Sequence, residues 1–161
     1  MKRIAVIILA TSFLFLGCEE DECEASVDYT RVNAEQLAID IDIIDSYLQD
    51  NGIVAVEHES GLRYVIHTEG NGSPAGICDN VITNYVGYRL ARTSVFDYGN
   101  EITLPLKNLI LGWQVAFTEL NVGTSATLYV PSVLAYGQYG SGATIPGNAN
   151  LVFEIDFIAI Q

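Results

Sequence analysis

The ionisable side chains of this sequence do not form a recognisable catalytic or metal-binding set. His58 and His67 have no further ligands near them, and edge or surface positions suit both residues. Asp40, Asp42 and Asp45 lie close together, but the segment lacks the glycine turn and the closing glutamate of a calcium-binding loop. No Ser/His/Asp order and no pair of carboxylates stands out. The sequence therefore predicts no metal, no cofactor and no nucleophilic chemistry.

The aromatic side chains are better candidates for a functional surface, since the chain has nine Tyr, six Phe and a single Trp. The Trp lies in the segment 109–117, where Ile110, Trp113 and Phe117 recur at spacings of three and four residues and would share one face of a helix. A helix this short is not stable by itself in water. We therefore expect an antiparallel sheet to clasp it, with the indole of Trp113 as the floor of whatever space the sheet leaves open.

Alternation of apolar and polar residues predicts the strands of that sheet. The clearest case is 151–160, where one set alternates with the other: Leu151, Phe153, Ile155 and Phe157 against Val152, Glu154, Asp156 and Ile158. The other predicted strands are 62–67, 81–90 and 125–130. The Gly-rich turn at 69–74 has neither a following helix nor a lysine, so it is not a phosphate-binding loop.

The segment 33–52 is the clearest helix of the sequence. Asn33 can cap its N-terminus, Gln36 occupies the matching position of a capping box, and Gly52 can end it. Its apolar face consists of Leu37, Ile41, Ile44 and Leu48, widened by Ile43 and Tyr47. Its aspartates, Asp40, Asp42, Asp45 and Asp50, fall largely outside that face. We expect the helix to dock on the domain that follows or to mediate pairing of chains.

The first residues resemble a bacterial secretion signal. Two basic residues precede an apolar run, 4–16, that is too short for an ordinary membrane span. The run ends in Gly17-Cys18, which resembles a lipobox, so we predict a signal peptide over 1–17 and a diacylglycerol on Cys18. The alternative is an ordinary signal peptide with a cysteine present by chance. Lipid anchoring would place the protein at a membrane, periplasm-facing or on the cell surface.

Residues 18–32 are typical of an acidic, solvated tether. Its acidic run, 19–22, resembles the surface-export signals of some bacterial lipoproteins, and a plain charged linker fits equally well. With Cys18 carrying lipid, Cys23 and Cys78 remain, and an oxidising compartment permits a disulfide that spacing alone cannot decide. The formal net charge of −13 repels phosphate backbones and argues against nucleic acid as a partner.

A series of short motifs in the second half of the chain follows a known order. The series is Val81 with Tyr85-Val86-Gly87, Phe96-Asp97, Leu104-Pro105-Leu106, Ile110-Leu111-Gly112-Trp113, Gly123, Pro131 with Tyr136-Gly137, Ile145-Pro146 and Leu151-Val152-Phe153. In this order and spacing, residues 61–161 resemble the FKBP-type peptidyl-prolyl cis-trans isomerases. The helix before them is similar to that of lipid-anchored bacterial members. The resemblance implies an α+β fold, a curved antiparallel sheet half-wrapped around one short helix and preceded by an N-terminal helix.

The resemblance also implies a pocket for proline-containing polypeptides. The catalytic positions would be Asp97, Tyr136, Phe96 and Trp113, and the substrate-binding positions Tyr85, Leu109, Ile110, Ile145 and Phe153. Trp113 would lie under the proline ring, while the Ile110 N–H and the Tyr136 hydroxyl would hold substrate carbonyls. Asp97 would be a polar wall group that orients Tyr85 or interacts with the twisting carbonyl, and not an acid or base.

Such a pocket suits a reaction that needs no nucleophile. Rotation about an X-Pro bond faces a barrier of about 18–20 kcal/mol because of amide resonance. A dry aromatic pocket removes hydrogen bonds from the amide oxygen, so the resonance form that places charge there is disfavoured. The twisted amide is then relatively favoured, which is differential binding of the transition state.

The chain departs from the family pattern at several positions. Residues 98–101 replace a longer loop after Asp97, so the usual basic partner of that carboxylate is missing locally. Ile102 stands where an aromatic wall is common, and Ser141 and Thr144 occupy the rim. These changes leave macrolide binding and the preference for the residue before proline open.

Three functions therefore compete for this chain. An anchored prolyl isomerase acting in extracytoplasmic protein folding is favoured by the intact aromatic set. A non-catalytic chaperone or peptide-binding module on the same fold is favoured by the shortened segment beside Asp97. A surface adhesion module is suggested only by the acidic tether.

Overall fold

The computed structural model describes residues 26–30, 32–90 and 94–161. The predicted signal peptide, Cys18, the acidic run after it and Cys23 all lie outside these residues. Cys78 is disulfide-bonded, and the other two cysteines of the chain are both among the residues outside the described ranges. No helix of the described ranges has the length and apolar character needed to cross a membrane.

The predicted N-terminal helix is present as α1, Ala34–Asp50. Asn33 caps it as expected, because its side-chain oxygen accepts two N–H groups of the first turn, both at 3.0 Å. The capping box is not completed, since the side chain of Gln36 donates instead to Asp40 Oδ1 at 2.9 Å. Gly52, with φ of +64°, takes the left-handed conformation that commonly follows the end of a helix.

Six strands of the described residues form one antiparallel sheet in the order β1-β2-β5-β6-β3-β4. The strands are β1 Val56–Glu57, β2 Arg63–Thr68, β3 Asn80–Arg89, β4 Val95–Pro105, β5 Ser125–Val130 and β6 Leu151–Ile160. The four predicted strands are present as β2, β3, β5 and β6. Alternating burial extends over parts of β3 and β6 only, since β2 is exposed along its second half and β5 is buried along almost its whole length. The sheet, together with α1 and a second short helix, confirms the α+β fold class.

β4 differs from what the sequence indicated. Residues 98–101, interpreted as a short loop, continue the strand, and the pairing with β3 shifts register between Thr83 and Tyr85. At this irregularity Glu101 has φ of +49°, and its N–H donates to the side-chain oxygen of Asn84 at 2.8 Å. The bulge interrupts the two-residue alternation, so the pattern does not reveal the strand.

The Trp-containing segment forms α2, Leu111–Glu119, which packs on one face of the sheet. Gly112 allows the helix to lie directly on β5, because a Cβ at this position would come within 2.4 Å of Val130 Cγ1. Phe117 of α2 and Phe157 of β6 are buried and meet edge to face, with ring centroids 4.8 Å apart. The main core therefore lies between α2 and the sheet.

α1 covers part of the opposite face of the same sheet. Its residues Ile44 and Leu48 pack with Tyr129 of β5 and Val152 of β6. This contact explains why Val152 is buried although the alternation of β6 assigns it to the polar face. The helix thus docks on its own domain, one of the two outcomes that the sequence left open.

Two expectations about the faces of α1 are wrong. Asp40, expected outside the apolar face, is fully buried because hydrogen-bond donors beyond the end of β5 meet its carboxylate. Ile43, expected to widen the apolar face, stays 48% exposed, because the docking contact of α1 is made by Ile44, Leu48 and Tyr47. Asp45 also turns toward the domain, where its two carboxylate oxygens accept from Arg63 at 2.9 and 3.1 Å.

Candidate active site

Trp113 is the centre of an aromatic cluster on the sheet face that α2 covers. Its side chain is almost fully buried and meets Tyr85 of β3 and Phe153 of β6 edge to face, with centroid distances of 5.0 and 5.2 Å. Phe96 of β4 meets Phe153 in the same way at 5.6 Å. Edge-to-face contacts are favourable and hold rings in defined orientations. The helix α2 and the strands β3, β4 and β6 therefore contribute rings to one continuous apolar surface.

Two glycines give these rings the space they occupy, a role that the sequence reasoning missed. A Cβ at Gly87 would lie 2.7 Å from Phe96 and 3.0 Å from Phe153. A Cβ at Gly99 would lie 2.6 Å from the Tyr85 ring. Non-bonded carbons do not approach this closely without displacement of one of them. A glycine inside a strand often marks such a close approach, and this signal could have identified Gly87 but not Gly99, which the sequence assigned to a loop.

Asp97 of β4 stands at the solvent edge of the cluster. Its Oδ2 accepts from the Tyr85 hydroxyl at 2.7 Å, and its Oδ1 accepts from the N–H of Tyr98 at 2.9 Å. Asp97 is exposed, whereas Tyr85 is half-buried. The carboxylate therefore holds the polar end of Tyr85 while the Tyr85 ring lies against Trp113.

Burial and the nearby carboxylate keep the tyrosine hydroxyls of the cluster protonated. Desolvation raises the pKa of Tyr85 well above its usual value, and the hydrogen bond to Asp97 and the charge of Asp97 raise it further. Desolvation, followed by the charge of Asp97, also raises the pKa of Tyr136. At neutral pH both hydroxyls are therefore hydrogen-bond donors and not bases.

The loop between β5 and β6 carries Tyr136 and Ile145. The Tyr136 side chain is 39% exposed, while Ile145 is buried in the same core as Trp113 and Phe153. Ile145 exchanges two backbone hydrogen bonds with Ser141, at 2.8 and 3.1 Å. The loop therefore offers one hydroxyl to solvent and one apolar side chain to the core.

The start of α2 leaves two donors unpaired within the described residues. The carbonyl of Ile110 accepts from the N–H groups of Trp113 and Gln114 at 2.9 and 3.1 Å, but the Ile110 N–H donates to no described group. Trp113 Nε1 is buried and also has no partner. Leu109, half-buried, precedes them and accepts from the Gln114 side chain at 2.8 Å. Unpaired N–H groups beside an apolar surface can donate hydrogen bonds to the carbonyl oxygens of a bound peptide.

The aromatic cluster reaches the surface through its two half-buried rings, Tyr85 and Phe96. Two hollows are formed by the described residues, and the lining of the first includes Tyr85 and Gly99. One, of about 1220 Å³, lies beside Tyr47 and Thr127 on the face that α1 partly covers, and the other, of about 390 Å³, lies beside His58 and Glu119. Neither is lined by Trp113. Access to the cluster therefore leads over its half-buried residues Tyr85 and Phe96.

The histidines of the described residues do not belong to this cluster. His67 is exposed on β2, as expected, and one ring nitrogen lies 2.8 Å from Thr127 Oγ1. His58 follows the edge strand β1 but is mostly buried, with Nδ1 2.9 Å from Ser60 Oγ. Across the described ranges, His, Cys, Asp and Glu side chains form no group of three or more that could hold a metal ion.

The structure brings the predicted site residues together from separate parts of the chain. Ring contacts and a hydrogen bond join Tyr85, Phe96, Asp97, Trp113 and Phe153. The predicted Leu109 and Ile110 adjoin them at the start of α2, and Tyr136 and Ile145 belong to the β5–β6 loop. The individual roles assigned to these residues stay predictions.

Known proteins share this fold and these sequence features. Residues 72–158 match a family model described as FKBP-type peptidyl-prolyl cis-trans isomerase. The chain is similar to the peptidyl-prolyl cis-trans isomerase Mip of Coxiella burnetii, 38% identical over 106 residues, which cover 63% of this chain and 46% of that protein. It is also similar to the outer membrane protein MIP of Legionella longbeachae, 34% identical over 125 residues, which cover 73% of this chain and 52% of that protein.

A solved structure agrees with the sequence matches. The crystal structure of a peptidyl-prolyl cis-trans isomerase from Pseudomonas syringae pv. tomato superposes with a TM-score of 0.68 at 26% identity, covering 77% of this chain and 95% of that one. The chain spans about half the length of the curated relatives it matches.

Proposed function

The chain belongs to the FKBP-type peptidyl-prolyl cis-trans isomerase family, and from this premise we propose that it accelerates the isomerisation of X-Pro bonds in extracytoplasmic polypeptides. The observation that carries the proposal is the arrangement of Tyr85, Phe96 and Phe153 around the buried indole of Trp113. This apolar surface has the chemistry to accept a proline ring.

The physical basis is removal of water from the amide that rotates. An X-Pro bond prefers trans by only about 0.5–1 kcal/mol, yet its isomerisation takes tens to hundreds of seconds at 25 °C. The barrier comes from resonance that places negative charge on the carbonyl oxygen, and water stabilises that charge. Against an aromatic surface the oxygen loses hydrogen bonds to water, so the planar amide is destabilised more than the twisted one.

Each polar group of the site has a role that requires no proton transfer. The N–H of Ile110, unpaired in the described residues, and the hydroxyl of Tyr136 would hold carbonyls that flank the X-Pro bond. Asp97 would position Tyr85 through the 2.7 Å hydrogen bond. The raised pKa values of Tyr85 and Tyr136 support donation by both hydroxyls.

A second candidate function is peptide binding without useful turnover. Among the described residues, no ion pair joins a basic side chain to Asp97, and the carboxylate is exposed. A site of this kind could hold apolar, proline-containing segments as a chaperone does, and only a rate measurement separates the two functions.

We further propose that a lipid on Cys18 anchors the protein at a membrane, with the 61–161 domain outside the cytoplasm. The apolar leader and the Gly17-Cys18 junction support the anchor. One relative is named an outer membrane protein. Lipid labelling in the bacterial host tests the anchor: wild-type protein takes up labelled fatty acid, and Cys18→Ser does not. Equal labelling of both would contradict it.

The isomerase proposal is tested by a protease-coupled assay on short X-Pro peptides. We expect acceleration by the wild-type protein, and much reduced acceleration by folded Asp97→Ala and Tyr136→Ala variants. Ile43→Ala, on the exposed side of α1, is the control and keeps the wild-type rate. Binding of the peptides without acceleration by the wild type would favour the chaperone instead.

A further inference from the structure

A buried polar cluster joins α1 to the loop between β5 and β6. It consists of Asp40, Ser132 and Asn150, of which Asp40 and Ser132 have no exposed surface. Asp40 Oδ2 accepts from the Ser132 hydroxyl at 2.6 Å and from the N–H of Val133 at 3.3 Å. The side chain of Asn150 accepts from the Ser132 N–H at 2.9 Å and donates to the Asp40 carbonyl at 3.4 Å.

This cluster lies at the two ends of the β5–β6 loop, residues 131–150. We call these ends, Ser132 with Val133 and Asn150, the neck of the loop. Val130 and Leu151 are paired across the two strands, so the loop leaves and re-enters the sheet at one place. Ser132 stands at the beginning of the loop and Asn150 at its end. The carboxylate of Asp40 therefore accepts hydrogen bonds from the beginning of the loop, and its backbone carbonyl accepts one from the end of the loop.

Beyond the neck, hydrogen bonds and close packing make the loop a compact unit. Ser141 and Ile145 are bonded to each other in both directions, and the N–H of Asn148 donates to the carbonyl of Gly137 at 2.9 Å. A Cβ at Gly147 would lie 2.1 Å from the Gln138 carbonyl oxygen, so the two sides of the loop touch. A compact loop with adjacent ends moves largely as one body, so the hydrogen bonds at its ends help to set its orientation, together with the packing of Ile145 in the core.

The position of Asp40 requires a reason beyond helix docking. A buried carboxylate is unfavourable unless its oxygens are hydrogen-bonded, and an apolar residue here would contribute to the docking of α1 without that cost. The docking contacts already exist in Ile44 and Leu48. What Asp40 adds is a set of acceptors for the loop neck, 92 residues further along the chain.

We propose that Asp40 is a positioning residue: it fixes the β5–β6 loop so that Tyr136 and Ile145 face the aromatic cluster before a peptide binds. The inference rests on the proposed function, since Tyr136 and Ile145 belong to that site. Without the hydrogen bonds to Asp40, the loop also adopts orientations that cannot bind peptide. The apparent affinity for peptide then falls in proportion to the fraction of molecules whose loop is correctly oriented. Once a peptide is bound, the loop is in place and the chemical step is unaffected.

Three variants separate positioning from stability. Asp40→Ala removes the acceptors of the loop neck. Asp40→Asn can still accept from Ser132 and Val133 through its carbonyl, and the partly buried Gln36 can turn its amide to match the new NH₂ group. Leu48→Ala weakens the docking of α1 by a cavity and leaves the polar cluster intact.

The kinetic readout is the split between KM and kcat for X-Pro peptides, measured well below the unfolding temperature. We expect Asp40→Ala to raise KM about tenfold, the size of one hydrogen bond to a charged group, with kcat retained. Asp40→Asn should recover most of the lost affinity. Leu48→Ala should lower the unfolding temperature and leave KM unchanged.

Amide hydrogen exchange gives a readout that does not depend on activity. In Asp40→Ala the N–H groups of Ala135 and Asn148, bonded to Ser132 and Gly137, should exchange faster than in wild type and in Leu48→Ala. If Asp40→Ala does not fold, Ser132→Ala removes the 2.6 Å bond alone and should shift KM and exchange in the same direction.

Two results would overturn the inference. One is an Asp40→Ala protein with wild-type KM and wild-type protection in the loop. The other is a Leu48→Ala protein that shows the same KM and exchange changes as Asp40→Ala. An inactive wild-type protein would overturn the proposed function alone, because loop exchange in the same variants still decides whether Asp40 holds the loop.

Discussion

The hydrogen bond between Tyr85 and Asp97 allows a test of how the carboxylate acts. If Asp97 works only by holding Tyr85, then Tyr85→Phe, Asp97→Ala and the double variant all remove the same interaction. The bond is 2.7 Å long and joins a half-buried hydroxyl to an exposed carboxylate, so we expect a loss of about 1 kcal/mol, lower than for a buried charged pair. This corresponds to a roughly fivefold decrease in kcat/KM for each variant.

A double-mutant cycle on kcat/KM for one X-Pro peptide carries out the test. Strong non-additivity is expected, with the double variant no worse than either single variant. Tyr98→Phe is the control, since Tyr98 is adjacent in the strand, is 75% exposed and should keep the wild-type rate. Additive losses, or a much larger loss in Asp97→Ala than in Tyr85→Phe, would refute positioning and indicate direct action of the carboxylate on the substrate.

Three further perturbations have expected outcomes. Gly87→Ala pushes a Cβ against the Phe96 and Phe153 rings, so it should lower the free energy of unfolding in urea by about 1–3 kcal/mol and lower activity. Gly76→Ala is the control and should do neither, because a Cβ there meets only the carboxylate of Asp79, with the nearest atom at 3.3 Å. Folding raises the pKa of Tyr85, so the protonated hydroxyl contributes fully to stability below the unfolded pKa of about 10, and this contribution falls as pH rises above that value. The urea midpoint, measured over a pH series, should therefore fall above a pH of about 10, and the fall should be smaller in Tyr85→Phe. Arg63→Ala loses both hydrogen bonds to Asp45 and should lower the free energy of unfolding by about 1–3 kcal/mol. KM should stay unchanged, and a changed KM would show that the contact between α1 and β2 also shapes the site.

Local signals in the sequence were sufficient for much of the fold. The cap at Asn33 and the stop at Gly52 define α1 within two residues, because helix ends depend on neighbouring backbone groups. β6 matches the alternating segment 151–160 residue for residue. The spacing of three and four residues placed Trp113 on the sheet-facing side of α2, whereas its neighbours in the cluster were implied by the resemblance to the FKBP family.

Features that depend on distant residues could not be predicted. Asp40 is charged and lies between apolar positions of α1, so the pattern directs it toward solvent, whereas its partner Ser132 is 92 residues away. The bulge opposite Asn84 breaks the alternation of β4 with a positive φ at Glu101, a position where glycine would have been the expected signal. A glycine inside β3 signals a close approach at Gly87, but the rings that come close are visible only when β4 and β6 are placed beside it.

The most direct measurement concerns the carbonyl that precedes proline in a bound peptide. Isotope-edited infrared spectroscopy with a ¹³C label at that carbonyl reports its hydrogen bonding. We predict a shift to higher frequency on binding to the wild-type protein, as water is removed beside Trp113, and a smaller shift with Trp113→Ala. An unshifted band, or a shift to lower frequency in a peptide that is bound and isomerised, would contradict desolvation as the origin of the rate.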